Sequence, residues 1–274
     1  MLESPNPRFG GIARLYGQSA LARFHAAHVA VVGIGGVGSW AVEALARSGI
    51  GRLTLVDLDE ICETNINRQL HAMDGLIGRQ KTEVMAERIQ AIHPECEVAV
   101  VPKFFKEATA DEILDNDFDA LIDAIDTRAH KALLLTECVK RGIHVVTCGA
   151  AGGRRDPTCI QVEDLAYSGK DAMLQQLRRT LRRDHGFPKA PDGGKPEPMG
   201  IEAVFSVEAP WYVQCDGEVS RDKPTENSPK DGPVLGCDWG MGSVTHVTAS
   251  FGQISAGRVL EYLAADVRTG QNCP

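Results

Sequence analysis

A glycine-rich turn between a strand and a helix is the feature that most restricts how this chain can fold. The apolar run 28–32 predicts a strand, Gly33-Ile34-Gly35-Gly36-Val37-Gly38 follows at once, and the sequence from about 37 to 47 predicts a helix. In this context glycines permit a tight turn and close backbone approach, and the helix N-terminus attracts phosphate. A glycine-rich turn without a ligand is the simpler alternative.

Strands and helices alternate beyond this turn. Apolar, β-branched runs predict strands at 52–57, 97–101, 120–124 and 144–148, and helical patterns cover about 81–92 and 128–140. Such alternation predicts an α/β fold, a Rossmann-like, mostly parallel sheet with helices on both faces.

The alternation is lost after Gly153. Here we expect strands at 160–162 and 204–207, an arginine-rich helix at 171–184, irregular Gly- and Pro-rich loops, and a packed helix within 241–263. The prediction is one domain over 1–274. It comprises a nucleotide-binding core at about 8–166, a basic helical insertion at about 167–200, and a C-terminal mixed-strand and helical region at about 201–265.

Composition excludes several classes of protein. The net charge of −8 disfavours a generally basic surface, so we expect no DNA partner, although a local basic patch stays possible. Neither a signal peptide nor a run of eighteen apolar residues is recognisable. We therefore expect a cytoplasmic protein whose C-terminal helix does not associate with a membrane. The eight cysteines form no C-x-x-C pair, which indicates reduced thiols rather than disulfides or a common zinc site.

Acidic residues follow the second predicted strand, in Asp57-Leu58-Asp59-Glu60. A carboxylate at this position can accept hydrogen bonds from ribose hydroxyls. A nicotinamide dehydrogenase and an ATP-using enzyme fit these residues equally well.

The next basic residues favour ATP. Arg68 lies in Asn65-Ile66-Asn67-Arg68-Gln69, and Lys81 comes twelve residues after Gln69. A pyrophosphate is already served by the glycine turn, whereas displacement at a triphosphate needs further positive charge. We expect both side chains at the rim of the site, although each could be an ordinary solvated charge.

Two aspartates close the fourth predicted strand, at the edge where α/β sheets bind ligands. Asp123 or Asp126 could hold a Mg²⁺ ion that bridges phosphates. Asp126 could equally be a helix N-cap.

Together these segments resemble a known superfamily. GIGGVGSWAVEALARSGIGRLTLVDLD, NINRQ, Lys81 and DAID are similar to the ubiquitin-activating and sulfur-carrier adenylyltransferases. FGGIARLYG at 9–17 and CGAAGGRRDPTCIQVEDLA at 148–166 resemble one branch more closely, the tRNA threonylcarbamoyladenosine dehydratases. The likeness runs from about Arg8 to Leu263. The missing C-x-x-C pairs favour this branch over the carrier-protein activators.

The resemblance implies roles for individual residues. It gives ATP as cofactor, and a nucleotide site formed by Gly35, Gly36, Gly38, Asp57, Asp59, Asn67, Arg68, Gln69, Lys81 and Asp126. Asp126 would be associated with Mg²⁺. The catalytic group would be Arg68, Lys81 and Asp126 with Arg14, an arginine that reaches into the partner's ATP site, so a homodimer is implied.

The resemblance also implies a reaction. The substrate would be a tRNA carrying threonylcarbamoyladenosine beside its anticodon. Its threonine carboxylate would be adenylated by ATP, and the neighbouring carbamoyl group would then close a ring and release AMP. Activation of a ubiquitin-like sulfur carrier is the second interpretation, and a nicotinamide oxidoreductase is a distant third.

Two further features concern partners. Arg178, Arg179, Arg182 and Arg183 stand at helical spacing in an acidic protein, which predicts an RNA contact, although a solvated face is the alternative. Cys237 lies near a polar loop and could carry sulfur or a thioester, or have no chemical role. A sulfur-transfer protein is therefore a possible partner.

Overall fold

Seven strands form the central sheet of the computed structural model, which describes residues 7–189, 194, 196–214, 217–223 and 241–270. The order across the sheet is β3-β2-β1-β4-β5-β7-β6. Neighbours run parallel except β6, which is antiparallel to β7. The strands are β1 His28–Val32, β2 Arg52–Val56, β3 Glu97–Val101, β4 Ala120–Asp123, β5 His144–Cys148, β6 Ile160–Asp164 and β7 Glu202–Ser206. The predicted fold class is confirmed.

Helices cover both faces of the sheet because its strands are apolar on both sides. The helices are α1 Gly10–Tyr16, α2 Gln18–Ala26, α3 Gly38–Arg47, α4 Lys81–Ile92, α5 Glu107–Leu114, α6 Arg128–Arg141, α7 Ala172–Asp184 and α8 Thr245–Gly270. In β1, Val29 and Val31 pack into one buried cluster with residues of α2, α3, α4 and α8, whereas Ala30 and Val32 pack into a second cluster with α5, α6 and α7.

The strand order places the candidate site. β1 pairs with β2 on one side and with β4 on the other, so successive connections leave β1 in opposite directions. At such a point a crevice opens beyond the carboxyl ends of the strands, and ligands of α/β sheets bind there. The glycine turn follows β1 directly.

Some elements were not predicted from the sequence. These are the short helices α1, α2 and α5 and a two-stranded hairpin, β8 Tyr212–Val213 with β9 Val219–Ser220. Short helices carry little periodic signal, because most of their stability comes from tertiary packing. β7 begins two residues earlier than predicted, at Glu202.

The arginine-rich helix is confirmed as α7. Asp171 is its N-cap, and the Asp171 carboxylate accepts a hydrogen bond from the Leu174 N–H at 2.9 Å. Leu174, Leu177 and Leu181 are buried and form the inward face of the helix, whereas Arg179 and Arg183 are exposed. Within the described ranges no helix, including the 26-residue α8, is long and apolar enough to cross a bilayer.

Candidate functional site

The turn after β1 requires its glycines. Gly33 adopts φ +90°, and a Cβ there would lie 2.7 Å from the Ala124 carbonyl oxygen. A Cβ on Gly38 would lie 1.8 Å from the Gly33 oxygen. The turn therefore packs against the end of β4, and larger side chains at these two positions would displace it.

The two middle glycines face the segment predicted to bind phosphate. A Cβ on Gly36 would approach the Arg68 side chain to 3.3 Å and Thr248 of α8 to 3.4 Å, and one on Gly35 would lie 3.8 Å from Gln69 Nε2. The structure thus brings Gly35, Gly36, Arg68 and Gln69 together, with the closest approach between Gly36 and the Arg68 side chain.

Asp57 fastens the turn. One carboxylate oxygen accepts the Ile34 N–H at 2.6 Å and the other accepts the Asp59 N–H at 2.8 Å. Burial raises the pKa of Asp57 above its ordinary value, although these donors favour the ionised form. The hydrogen bonds of Asp57 therefore shape the turn itself. Asp59, whose side chain is 51% exposed, is the more accessible carboxylate of the two.

Lys81 lies deeper than expected. Its Nζ donates to Asp59 Oδ2 at 2.8 Å, and the residue is only 5% exposed. The expected position at the rim is wrong for Lys81, because α4 begins at this residue and is held to the site by a bridge between Glu60 and Gln80. Asp59 and Lys81 therefore form one ion pair beside the glycine turn.

Asn67 is anchored by Ser243 and by Thr245 at the start of α8, and the Arg68 side chain is held by its own loop. Asn67 Nδ2 donates to the Ser243 carbonyl at 2.8 Å, and the Thr245 hydroxyl donates to the Asn67 carbonyl. Arg68 Nη1 donates to the Thr64 carbonyl at 2.8 Å and to Asn67 Oδ1 at 3.0 Å. The long separation in sequence explains why the contribution of α8 was not predicted.

Buried polar atoms in this region suit a polar ligand. Gln69 Oε1, Gln80 Oε1 and Thr82 Oγ1 are buried and find no hydrogen-bond partner among the residues that the structure describes. Buried polar groups are normally satisfied. Together with the glycine cradle and the cations Arg68 and Lys81, they fit a nucleoside triphosphate.

Asp123 is not the metal ligand that its position suggested. It is fully buried, and its Oδ2 accepts from Lys131 Nζ at 2.7 Å and from the Thr147 hydroxyl at 2.7 Å. Lys131 is also fully buried, so this ion pair ties α6 to β4 and β5. The sequence contained one signal for this ion pair, because Lys131 directly precedes an apolar run of the amphipathic helix α6.

Asp126 is exposed at the end of β4, and its Oδ1 accepts the Thr127 hydroxyl at 3.2 Å. No group of three metal-binding side chains occurs in the described ranges. A single carboxylate nevertheless suits Mg²⁺, which takes one or two carboxylates together with substrate phosphates. The residues therefore fit a magnesium ion that arrives with ATP.

Arg14 lies apart from these residues. It is exposed on α1, and its guanidinium makes no hydrogen bond or ion pair with any residue in the described part of the chain. The neighbouring Leu15 is 76% exposed. Arg14 and Leu15 therefore present a cationic and an apolar side chain to solvent.

The four arginines of α7 divide into two rows. Arg178 bonds to Ser168 Oγ and Arg182 Nε donates to the Pro188 carbonyl at 3.1 Å, so both are partly buried. Arg179 and Arg183 are exposed, and Arg183 pairs with Asp184 at 2.7 Å. Only the second row is well placed for a partner.

Cys237 lies outside the described residues. Among the described thiols, burial raises the pKa of Cys96 and of Cys138 to about 12 and that of Cys148 to about 11. Such thiols are poor nucleophiles at neutral pH, and they make ordinary core contacts.

His71 bonds to the glycine turn and makes the stability of the fold depend on pH. It is 1% exposed, its Nε2 bonds to the Ile34 carbonyl at 2.8 Å, and burial lowers its pKa from 6.5 to about 4. The unfolded chain therefore binds this proton more readily. The stability due to neutral His71 is complete above pH 6.5 and is lost as the pH falls towards 4.

We expect His71→Gln, which keeps a donor for Ile34, to flatten the fall of the unfolding free energy between pH 6.5 and 4.5. Wild type should lose up to about 3 kcal/mol through this group on full acidification. Urea titrations at several pH values measure it. His130→Gln, at a half-exposed position on α6, is the matched control and should follow wild type. Equal slopes for His71→Gln and wild type would contradict the assignment.

Comparisons with known proteins place this chain in a family. The ThiF family model matches residues 11–269. The tRNA threonylcarbamoyladenosine dehydratase of Escherichia coli is 47% identical over 94% of each chain. That of Haemophilus influenzae is 44% identical over 96% of this chain and 95% of its own. The crystal structure of the E. coli dehydratase TcdA in complex with ATP superposes with a TM-score of 0.81 at 42% identity, covering 97% of this chain and 96% of that one.

Proposed function

The chain belongs to the ThiF family, and from that premise we propose that it is an ATP-dependent enzyme that dehydrates threonylcarbamoyladenosine in tRNA to its cyclic form. The observation that carries the proposal is the geometry of the turn. Gly35 and Gly36 lie close to Gln69 and Arg68, and Lys81 is held in an ion pair with Asp59, whose backbone N–H bonds to the Asp57 carboxylate that fastens the turn. That arrangement suits binding of a triphosphate rather than of a pyrophosphate alone.

The reaction is an adenylation followed by a cyclisation. An oxygen of the threonine carboxylate attacks the α-phosphorus of ATP and pyrophosphate leaves. The carbamoyl group of the same residue then attacks the activated carbonyl carbon, and AMP leaves. Because nucleophile and electrophile share one residue, their effective concentration is high and no enzyme nucleophile is needed. The raised pKa values of the described core thiols agree with a mechanism that uses no enzyme nucleophile.

In this mechanism the chain positions charge. The N–H groups of the turn and the N-terminus of α3 face the phosphates, and Arg68 and Lys81 neutralise the charge that develops on the leaving pyrophosphate. Asn67 is uncharged and helps to hold the phosphates through its side-chain amide. Asp59 holds the ribose, and Gln69 adds a polar contact. Asp126 would hold Mg²⁺, which supplies further neutralisation of the phosphates when bound.

The proposed assembly is a homodimer in which Arg14 completes the ATP site of the partner. Two observations support it: Arg14 is exposed without a partner in the described part of its own chain, and Leu15 beside it is 76% exposed. In a two-fold dimer each subunit would donate one arginine and receive one.

One experiment tests the proposed function directly. The protein is incubated with ATP and tRNA from cells that lack it, the tRNA is digested to nucleosides, and mass spectrometry follows the loss of water. Dehydration that requires ATP and yields AMP is expected. If the nucleoside keeps its mass while the protein still binds ATP, the tRNA substrate is wrong.

The alternative is adenylation of a ubiquitin-like sulfur carrier. It predicts exchange of ATP with pyrophosphate that depends on a small protein ending in Gly-Gly. The absence of C-x-x-C pairs from the sequence weighs against it. A docking sulfur-transfer protein and a chemical role for Cys237 are proposals that apply to the dehydratase as well as to this alternative.

RNA binding gives a separate prediction. We expect the double change Arg179→Gln with Arg183→Gln to weaken tRNA binding and to reduce the slope of log affinity against log salt by about one for each phosphate that is no longer neutralised. ATP binding should not change. The matched control replaces Arg47 and Arg52, two exposed arginines on other elements, by Gln. An unaltered slope would make the α7 arginines an ordinary solvated face.

A further inference from the structure

A cavity of about 200 Å³ opens beside the candidate nucleotide site. Its walls come from three segments that are distant in sequence: the loop after β5 with Gly153, Arg154 and Arg155, the β8–β9 hairpin region with Trp211, and the stretch before α8 with Ser243. Pockets for whole drug-sized ligands measure roughly 300–1,000 Å³. A cavity of this size therefore suits one base or a similar small group.

An aromatic and cationic layer forms one wall. The guanidinium carbon of Arg155 lies 4.2 Å from the centroid of the Trp211 ring, and that of Arg221 lies 4.8 Å from it. Trp211 Nε1 donates to Glu208 Oε1 at 3.2 Å, which fixes the orientation of the indole. Nucleic-acid bases that are not paired stack on such rings and on guanidinium planes.

The second wall carries a buried positive charge. Arg154 is 4% exposed, and its Nη1 donates to the Glu208 carbonyl oxygen. Across the described ranges no carboxylate forms an ion pair with Arg154, and its Nε has no hydrogen-bond partner there. A buried guanidinium without a counter-charge is costly, so an anionic ligand in the cavity would stabilise it.

Glu208 does not cancel this charge. Although burial opposes ionisation, the N–H groups of Asp156 and Arg155 donate to Glu208 Oε2 at 3.0 and 2.9 Å and hold the pKa of Glu208 below its ordinary value. This carboxylate therefore holds the backbone of the loop at Arg155 and Asp156. Its Oε1 also lies 3.7 Å from Arg221 Nη2, so Glu208 pairs with Arg221. Arg154 and Arg155 line the cavity, and within the described ranges neither forms an ion pair.

The cavity adjoins the predicted triphosphate segment. Ser243 lines the cavity, and its carbonyl accepts the hydrogen bond from Asn67 Nδ2 at 2.8 Å. Asn67 precedes Arg68, which faces Gly36. A group held against Trp211 thus lies close to the segment that would position ATP.

We propose that this cavity is the subsite for the substrate nucleoside that bears the carboxylate. Its aromatic base stacks on the Trp211–Arg155 layer, and Arg154 and Arg155 meet the negative charge attached to it. Adenylation requires the carboxylate and the α-phosphorus to meet, and a subsite beside Asn67 brings them together. The proposal rests on the proposed function, because it takes the RNA substrate from it.

The test uses two labelled anticodon stem-loops, one with threonylcarbamoyladenosine and one with plain adenosine at the same position. Binding is measured by fluorescence anisotropy with the full-length protein and a non-hydrolysable ATP analogue. Wild type should prefer the modified stem-loop. Trp211→Ala should lower affinity for it about tenfold or more and remove the preference, because the base no longer stacks on a ring. Trp211→Phe, which keeps a ring, should retain most of the preference.

Arg155→Gln is the second variant, which keeps the proposal testable if Trp211→Ala does not fold. It should lower the preference, whereas Arg52→Gln at the opposite end of the sheet should bind both stem-loops as wild type does. The subsite would be overturned if Trp211→Ala and Arg155→Gln both kept the wild-type preference for the modified stem-loop. It would also be overturned if the variants lost affinity equally for both stem-loops. Failure of the proposed function is seen separately, as absence of dehydration by the wild-type protein.

Discussion

Lys81→Met is expected to lower the rate of AMP formation by about 10²-fold or more. Lys81 Nζ lies 2.8 Å from Asp59 Oδ2 and is held in place by the start of α4, so its charge is fixed before ATP arrives. A preorganised cation aimed at developing phosphate charge is worth several kcal/mol in such a site. Methionine keeps most of the aliphatic volume, which matters because Lys81 is only 5% exposed.

The measurement is single-turnover release of AMP with saturating tRNA and ATP, accompanied by a thermal unfolding curve. Because Asp59 stays half-exposed to solvent when its partner is removed, a small stability loss is expected. Lys103→Met is the matched control, since Lys103 also pairs with a carboxylate, Glu112, but lies at the surface beyond β3. Normal turnover by folded Lys81→Met would refute the triphosphate interpretation. Arg68→Ala should show a similar loss.

Mixtures of two inactive variants are expected to regain activity. If Arg14 serves the neighbouring subunit, Arg14→Ala and Lys81→Ala are each inactive as homodimers, for different reasons. In a mixed dimer the Arg14→Ala subunit keeps its own Lys81 and receives Arg14 from the partner, so one complete site is restored. Random exchange gives about half mixed dimers with one good site in two, and activity should return to roughly a quarter of wild type.

Subunit exchange has to be established independently, by native mass spectrometry of differently tagged chains. The control mixes Arg68→Ala with Lys81→Ala, because both residues would belong to the same subunit's site and no mixed dimer can then be complete. Exchanged but inactive Arg14→Ala and Lys81→Ala mixtures would mean that Arg14 acts within its own chain or supports the fold.

The sequence by itself determined the strands and the longer helices of the first half of the fold. Local patterns were enough for β1, the glycine turn, α4 and β5, because apolar periodicity and glycine spacing act within a few residues. The predicted first residues of β1, β3, α4 and β5 agree with the structure; they are His28, Glu97, Lys81 and His144. Motif order also placed Arg68 and Gln69 beside Gly36 and Gly35 correctly.

Only the tertiary structure decided what each charge does. Asp123 and Asp126 look alike in sequence, yet Lys131 from α6 buries the first in an ion pair and leaves the second exposed. Arg178 and Arg179 differ in the same way, since the buried leucines of α7 fix which row meets Ser168. Thr245 at the start of α8 reaches Asn67 from 178 residues away. Burial and pairing depend on contacts between residues far apart in the chain, and a local pattern carries no record of them.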